Sequence, residues 1–146
     1  DAIAPEYISA DAKITRSLIS GASTICGDVS GSVIGSGVTI EEGAIVRDSI
    51  IMNHVTIGKN CRINKSIVAE DTIIEDEVSM GISEEVSNEE FPHIYNHGLV
   101  CVGEKSRLPK GVTIGKNSCI YGITKADDYK DMHLESGKNL IKAGDM

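Results

Sequence analysis

Tryptophan is absent from this 146-residue sequence, phenylalanine occurs once, and with four tyrosines the aromatic share is only 3%. A core without large rings has to be filled by small branched side chains, and Ile, Val, Gly, Ser and Thr dominate the chain. Positive charge is also short: 14 Lys and Arg stand against 22 Asp and Glu, a net charge of −8. Such a surface repels a phosphate backbone instead of releasing its counterions, which excludes nucleic acid as an expected partner. No apolar run reaches the roughly 18 residues of a spanning helix, and no basic-then-apolar leader is present. Neither membrane insertion nor secretion is therefore expected. The four cysteines lack any CxxC spacing, so free thiols in a reducing compartment, the cytoplasm, are expected. The chain opens at Asp1 without a methionine, as a processed product or an excised piece would.

What the sequence does contain is self-similarity. The stretch from Ile34 through Ile40 and Val46 to Ile50 aligns with the stretch from Ile51 through Ile57 and Ile63 to Ile67, in steps of six, six and five. Every column agrees in kind: Ser32, Ser49 and Ser66; Ile34, Ile51 and Val68; Ile40, Ile57 and Ile74. The positions two before these aliphatics hold Val38, Val55 and Thr72 in one column and Ala44, Cys61 and Val78 in another. A 3.6-residue helical period cannot return aliphatics every six residues with Gly, Asn and Asp between them. Three short strands per repeat, each corner turning the chain by about a third of a circle, can. Coils stacked about 4.8 Å apart then place like residues on like, and the aliphatic columns become ladders.

The frame extends upstream to Ile8, Ile14 and Ile19, with two residues deleted at Cys26-Gly27-Asp28. It fails between Gly81 and Gly98, where Glu84, Glu85, Glu89 and Glu90 and a Phe91-to-His97 stretch suggest a loop leaving the solenoid, and it resumes at Val102, Leu108, Ile114 and Ile120. The expectation is an all-β domain over 1–123 of about five to six coils, with an excursion near 81–98. Residues 124–146 are read as a tail or cap, because strand ends of a solenoid need covering. One domain of this kind leaves no room for a nucleotide-binding domain as well.

The run from Ser32 to Met52, containing Ser32-Val33-Ile34-Gly35 and Asp48-Ser49-Ile50-Ile51-Met52, resembles the C-terminal β-helix of glucose-1-phosphate adenylyltransferases (ADP-glucose pyrophosphorylases). The likeness continues through Ile57-Gly58-Lys59-Asn60-Cys61 and Gly98-Leu99-Val100-Cys101-Val102, covering about residues 3–120. It implies a left-handed parallel β-helix, the hand of hexapeptide solenoids and an exception to the right-handed crossover rule. It also implies a parent enzyme making ADP-glucose and pyrophosphate from ATP and glucose 1-phosphate for glycogen synthesis. That family's catalytic residues lie in an N-terminal domain with a Gly-rich, Arg-containing loop, which this sequence does not contain. The implied role is oligomerisation and allosteric regulation, with a homo-oligomer and the missing catalytic domain as partners and no cofactor in this chain. The alternatives are a hexapeptide acyltransferase or a related sugar-nucleotide pyrophosphorylase.

No catalytic residue is assigned. His54, which an acyltransferase reading would need, shares a column with Gly37 and Asp71 and reads as an exposed corner. His93 and His97 are four apart, but Pro92 argues for an extended loop and no third ligand column exists, so no metal is expected. The informative positions are departures. Where related enzymes carry two basic residues that bind the phosphates of activators, this chain has Glu70 and Glu104. Acids repel the phosphate that Arg or Lys would pair with. Lys105, Arg107 and Lys110 are the nearby cations that could substitute.

Overall fold

The computed structural model describes residues 5–142; residues 1–4 and 143–146, the outer ends of the two expected segments, lie outside it. Coil 1 is β1 (Tyr7–Ile8), β2 (Lys13–Thr15) and β3 (Leu18–Ile19). Coil 2 is β4 (Thr24–Ile25), β5 (Asp28–Ser30) and β6 (Val33–Ile34), and coil 3 is β7 (Thr39–Ile40), β8 (Ile45–Arg47) and β9 (Ile50–Ile51). Coil 4 is β10 (Thr56–Ile57), β11 (Arg62–Asn64) and β12 (Ser66–Val68). Coil 5 is β13 (Ile73–Ile74), β14 (Ser79–Ile82) and, after the excursion, β15 (Val100–Val102). Coil 6 is β16 (Arg107–Leu108), β17 (Thr113–Gly115) and β18 (Ser118–Tyr121). The last strands are β19 (His133–Leu134) and β20 (Asn139–Ile141).

Every third strand joins one sheet, all pairings being parallel. Sheet A runs β1-β4-β7-β10-β13-β16, sheet B runs from β2 to β19, and sheet C from β3 to β20. The molecule is a left-handed parallel β-helix. The described residues make six complete coils and a two-strand seventh, one more than the range read from the sequence. The reason is local: on sheet A the seventh coil makes only a single bridge, Ile123 to Arg107, with Thr124 where an aliphatic would recur and a turn of 3-10 helix at Ala126–Asp128 following, so the period is broken there. Tyr129 fills the interior instead, buried, with its hydroxyl 2.9 Å from Thr124 Oγ1.

The ladders are as the columns foretold. Ile25, Ile40, Ile57, Ile74 and Leu108 stack in register and are fully buried. Val29, Val46, Ile63, Met80 and Ile114 do the same on sheet B, and Ile34, Ile51, Val68, Val102 and Ile120 on sheet C. The serine column has a separate cause. At the corner between sheets B and C, the Ser49 amide donates to the Ser32 hydroxyl and the Ser66 amide to that of Ser49, both at 3.1 Å. Each hydroxyl in turn donates to a carbonyl of its own coil, Ser49 to Arg47 at 2.7 Å. Buried corner amides thereby find the partners they require. The two-residue deletion falls at the coil 2 corner, where Cys26 and Gly27 alone join β4 to β5. A side chain at Gly27 would overlap the Ala44 carbonyl oxygen of the next coil, so only glycine lets this corner pass.

Candidate functional site

At the corner where sheet C hands the chain to sheet A, each coil turns through four residues. The third takes a left-handed conformation: Gly37, His54, Asp71 and Lys105 have φ of 67°, 59°, 59° and 55°. Asp and His are among the side-chain-bearing residues that tolerate this region best, which accounts for His54 without invoking chemistry. Its Nδ1 lies 4.0 Å from Asp71 Oδ1, both side chains being more than half exposed.

Glu70 and Glu104 are the second residues of the coil 4 and coil 5 turns, so the fold stacks them as neighbours. The Lys105 amide donates to the Glu70 carbonyl at 2.9 Å, and the Thr72 hydroxyl to the Gly103 carbonyl at 3.0 Å, locking one turn on the other. Both glutamates are exposed, and with Asp71 they make an acidic corner about one strand spacing, some 4.8 Å, per step. Of the three nearby cations, only Lys105 belongs to this corner. Arg107 lies on sheet A, where its Nε donates to Glu75 Oε2 at 2.9 Å, and Lys110 sits beyond it at the corner with sheet B. Together they line an open depression of about 500 Å³ with Lys59, Glu41 and Asp76, in which the charges are mixed.

The excursion between β14 and β15 is a clasp. Asn88, buried, donates through Nδ2 to the Asn117 carbonyl at 2.9 Å and to Asn139 Oδ1 at 2.7 Å, while its own Oδ1 accepts from the amides of Glu90 and Phe91. Asn117 reaches back to the Val86 carbonyl at 3.0 Å, and Lys138 Nζ meets Glu89 Oε2 at 3.0 Å. That hydrogen bond holds the Glu89 carboxyl below its usual range and raises the Lys138 ammonium. Phe91 and Tyr95 pack edge to face, and a turn at Phe91 carries the chain back, in place of the extended loop expected from Pro92. His93 and His97 are exposed there. Among the described residues no group of three or more His, Cys, Asp and Glu is placed to hold a metal ion.

Beneath the clasp, Cys101 and Cys119 stack in register on the outer face of sheet C. The hydrogen bond with Cys119, then burial, pushes Tyr95 up to about 12, and burial, then Cys119, pushes the Cys101 thiol up to about 11. A thiol so raised stays protonated at neutral pH, which makes Cys101 a poor nucleophile. Further along the same column the face is bare: Leu18, Val33 and Ile50 are 71%, 46% and 43% exposed, with Met52 beside them and Ile67 next in register. No charged residue points out of β3, β6, β9 or β12, so coils 1 to 4 present an uncharged aliphatic strip. Neither the clasp nor this strip was visible in the repeat, although the alternation of outward aliphatics at Leu18, Val33, Ile50 and Ile67 was a signal for the latter.

Comparison with known proteins shows what the chain is similar to. A glucose-1-phosphate adenylyltransferase of Lachnospira eligens is 52% identical over 145 residues, covering 99% of this chain and 34% of the relative. One from Acetivibrio thermocellus is 37% identical over 139 residues, covering 95% of this chain and 33% of the relative. The chain thus spans about a third of the length of these relatives. Among solved structures, the acetyltransferase domain of PglB from Neisseria gonorrhoeae superposes with a TM-score of 0.53 at 18% identity, covering 97% of this chain and 57% of that one, a likeness of fold alone. The family model described as GlmU-like, C-terminal hexapeptide, matches residues 5–102, and the chain belongs to that family.

Proposed function

We propose that this chain is the C-terminal assembly and regulatory domain of a glucose-1-phosphate adenylyltransferase, which joins ATP and glucose 1-phosphate into ADP-glucose and pyrophosphate for glycogen synthesis. The observation that carries the reading is the near full-length alignment of the chain with adenylyltransferases at up to 52% identity. An acyltransferase with the same fold would need a base, and His54 is an exposed corner residue 4.0 Å from Asp71, which is also more than half exposed. The nucleotide chemistry belongs to a domain outside these 146 residues. Residues 5–123 supply the six complete coils, and residues 124–142 close their end through Tyr129 and the two-strand seventh coil.

The aliphatic strip of sheet C supports a homo-oligomeric enzyme in which this domain is packed against other protein, and the free cysteines fit a cytoplasmic one. Outward aliphatics on four successive strands are costly to leave in water. Among the described residues no helix is long and apolar enough to cross a membrane. Glu70 and Glu104 occupy the allosteric corner with inverted charge, so phosphorylated activators bind there weakly or not at all. The test is an assay of the chain alone and of its parent protein with ATP and glucose 1-phosphate. Turnover by the parent and none by the chain is expected; turnover by the chain alone, or acetyl transfer from acetyl coenzyme A, sinks the assignment.

A further inference from the structure

A second charged feature lies on the opposite side of the prism from sheet C's corner with sheet A. Over coils 1 to 4, the outer face of sheet B and its edge toward sheet C carry Lys13, Arg16, Arg47, Arg62 and Lys65 against Asp28 and Asp48. This is a local excess of cations in a chain of net charge −8. The ion pairs among the described residues use His54, Arg107, Lys138 and Lys142, and none of these five. Register places the two arginines: Arg62 lies opposite Ile45 and Arg47 opposite Asn64, which makes Arg47 and Arg62 diagonal neighbours on adjacent strands. Diagonal Cα atoms are about 7–8 Å apart, within reach of one small anion for two long side chains.

Between them is a depression of about 210 Å³ lined by Ile45, Arg47, Arg62, Asn64, Gly81 and Ile82. Its shape has a cause in the chain. Gly81, at φ 78°, makes a bulge in β14 that shifts the register between Met80 and Ile82, and a side chain there would overlap the Asn64 carbonyl. The bulge leaves the strand beyond Arg62 and Asn64 without a side chain to fill the space. Two guanidinium forks, a carboxamide and an apolar floor of Ile45 and Ile82 thus converge where no carboxylate of the protein lines the cavity; Asp28 belongs to the neighbouring depression, which Arg47 also lines.

We propose that this hollow is an anion-binding site that takes a tetrahedral phosphate group, either free phosphate or the phosphate of a small metabolite, through Arg47 and Arg62 with Asn64 as an added donor. Guanidinium pairs suit a tetrahedral oxyanion because each fork can offer two parallel N–H donors. The site is separate from the Glu70 and Glu104 corner, and its test does not depend on whether that corner regulates anything.

The 146-residue chain is titrated with inorganic phosphate, with glycerol phosphate and with acetate, followed by the arginine Nε–H signals in NMR and by calorimetry. Saturable binding of phosphate with shifts confined to two arginine signals, and little response to acetate, is expected. Arg47→Gln with Arg62→Gln should weaken phosphate by at least about tenfold, the effect of losing one charge-assisted hydrogen bond. Arg16→Gln with Lys65→Gln changes net charge equally at the neighbouring edge and should leave affinity within about twofold. Tighter binding of glycerol phosphate assigns the site to a phosphorylated metabolite, and equal binding assigns it to free phosphate. Absence of saturation at concentrations on the order of 10 mM, equal weakening by both double variants, or binding that survives Arg47→Gln with Arg62→Gln overturns the proposal. Retained strand circular dichroism in the variants guards against misfolding as the cause.

Discussion

Replacing Ile57 with alanine tests the ladder, because Ile57 is fully buried between Ile40 of coil 3 and Ile74 of coil 5. The substitution removes three carbons, a transfer loss of about 2.4 kcal/mol at roughly 0.8 kcal/mol each. A hole is also left behind. The flanking isoleucines are held by parallel strand pairing on both sides and cannot move in without breaking it, so most of the side-chain volume persists as a cavity, adding about 1–1.5 kcal/mol. The expected total is about 4 kcal/mol. Lys59, two residues on, is exposed, and its contribution to the corner is the backbone amide that donates to Asp76 Oδ1 at 2.8 Å, which Lys59→Ala keeps. That change should stay within about 0.5 kcal/mol. Urea unfolding followed by circular dichroism at the strand band measures both. A difference between the two variants below about 1 kcal/mol would refute the assignment of inside and outside on which the whole solenoid argument rests.

The remaining predictions concern the corners and the clasp. Gly27→Ala should destabilise by more than the roughly 1 kcal/mol of a conformational penalty, because the new methyl meets the Ala44 carbonyl, whereas Gly111→Ala, with open space around it, should cost only that penalty; thermal melts separate the two. Asn88→Ala removes the donor to Asn139 Oδ1 and the acceptor of the Glu90 and Phe91 amides, and should speed proteolytic cleavage within 83–99 while the rest of the coil stays protected. The same clasp should loosen with acid. Glu89 is held below its usual range, so its contribution is present at neutral pH and fades as pH falls through the ordinary carboxylate range to its lowered value; Glu89→Gln should flatten that dependence of protease protection, and an unchanged profile would exclude the Lys138 pair as its source. At the acidic corner, Glu70→Arg with Glu104→Lys in the full-length enzyme should raise its affinity for fructose 1,6-bisphosphate or 3-phosphoglycerate, and micromolar binding of either by the unaltered domain would defeat the charge argument.

Residues such as Ile40, Ile57 and Ile74 were legible as a ladder because every coil meets a copy of itself, so a local spacing of six, six and five carries the same information as the contact it produces. The meeting of Glu70 and Glu104 follows from that frame once the excursion is set aside, since a corner position in one coil always lies beside the same position in the next. What the repeat could not encode is contact between segments that do not repeat. Asn88 finds Asn139 across 51 positions, and Tyr129 is buried in the seventh coil, whose sheet A position lacks an aliphatic; neither belongs to a column. The serine column was readable as a pattern, but its cause, a relay of hydroxyls to buried corner amides, needed three dimensions. The hollow beside Arg47 and Arg62 was likewise shaped by a single bulge at Gly81, because one extra residue in β14 changes which side chains face their neighbours and spacing alone does not reveal where the chain absorbs it.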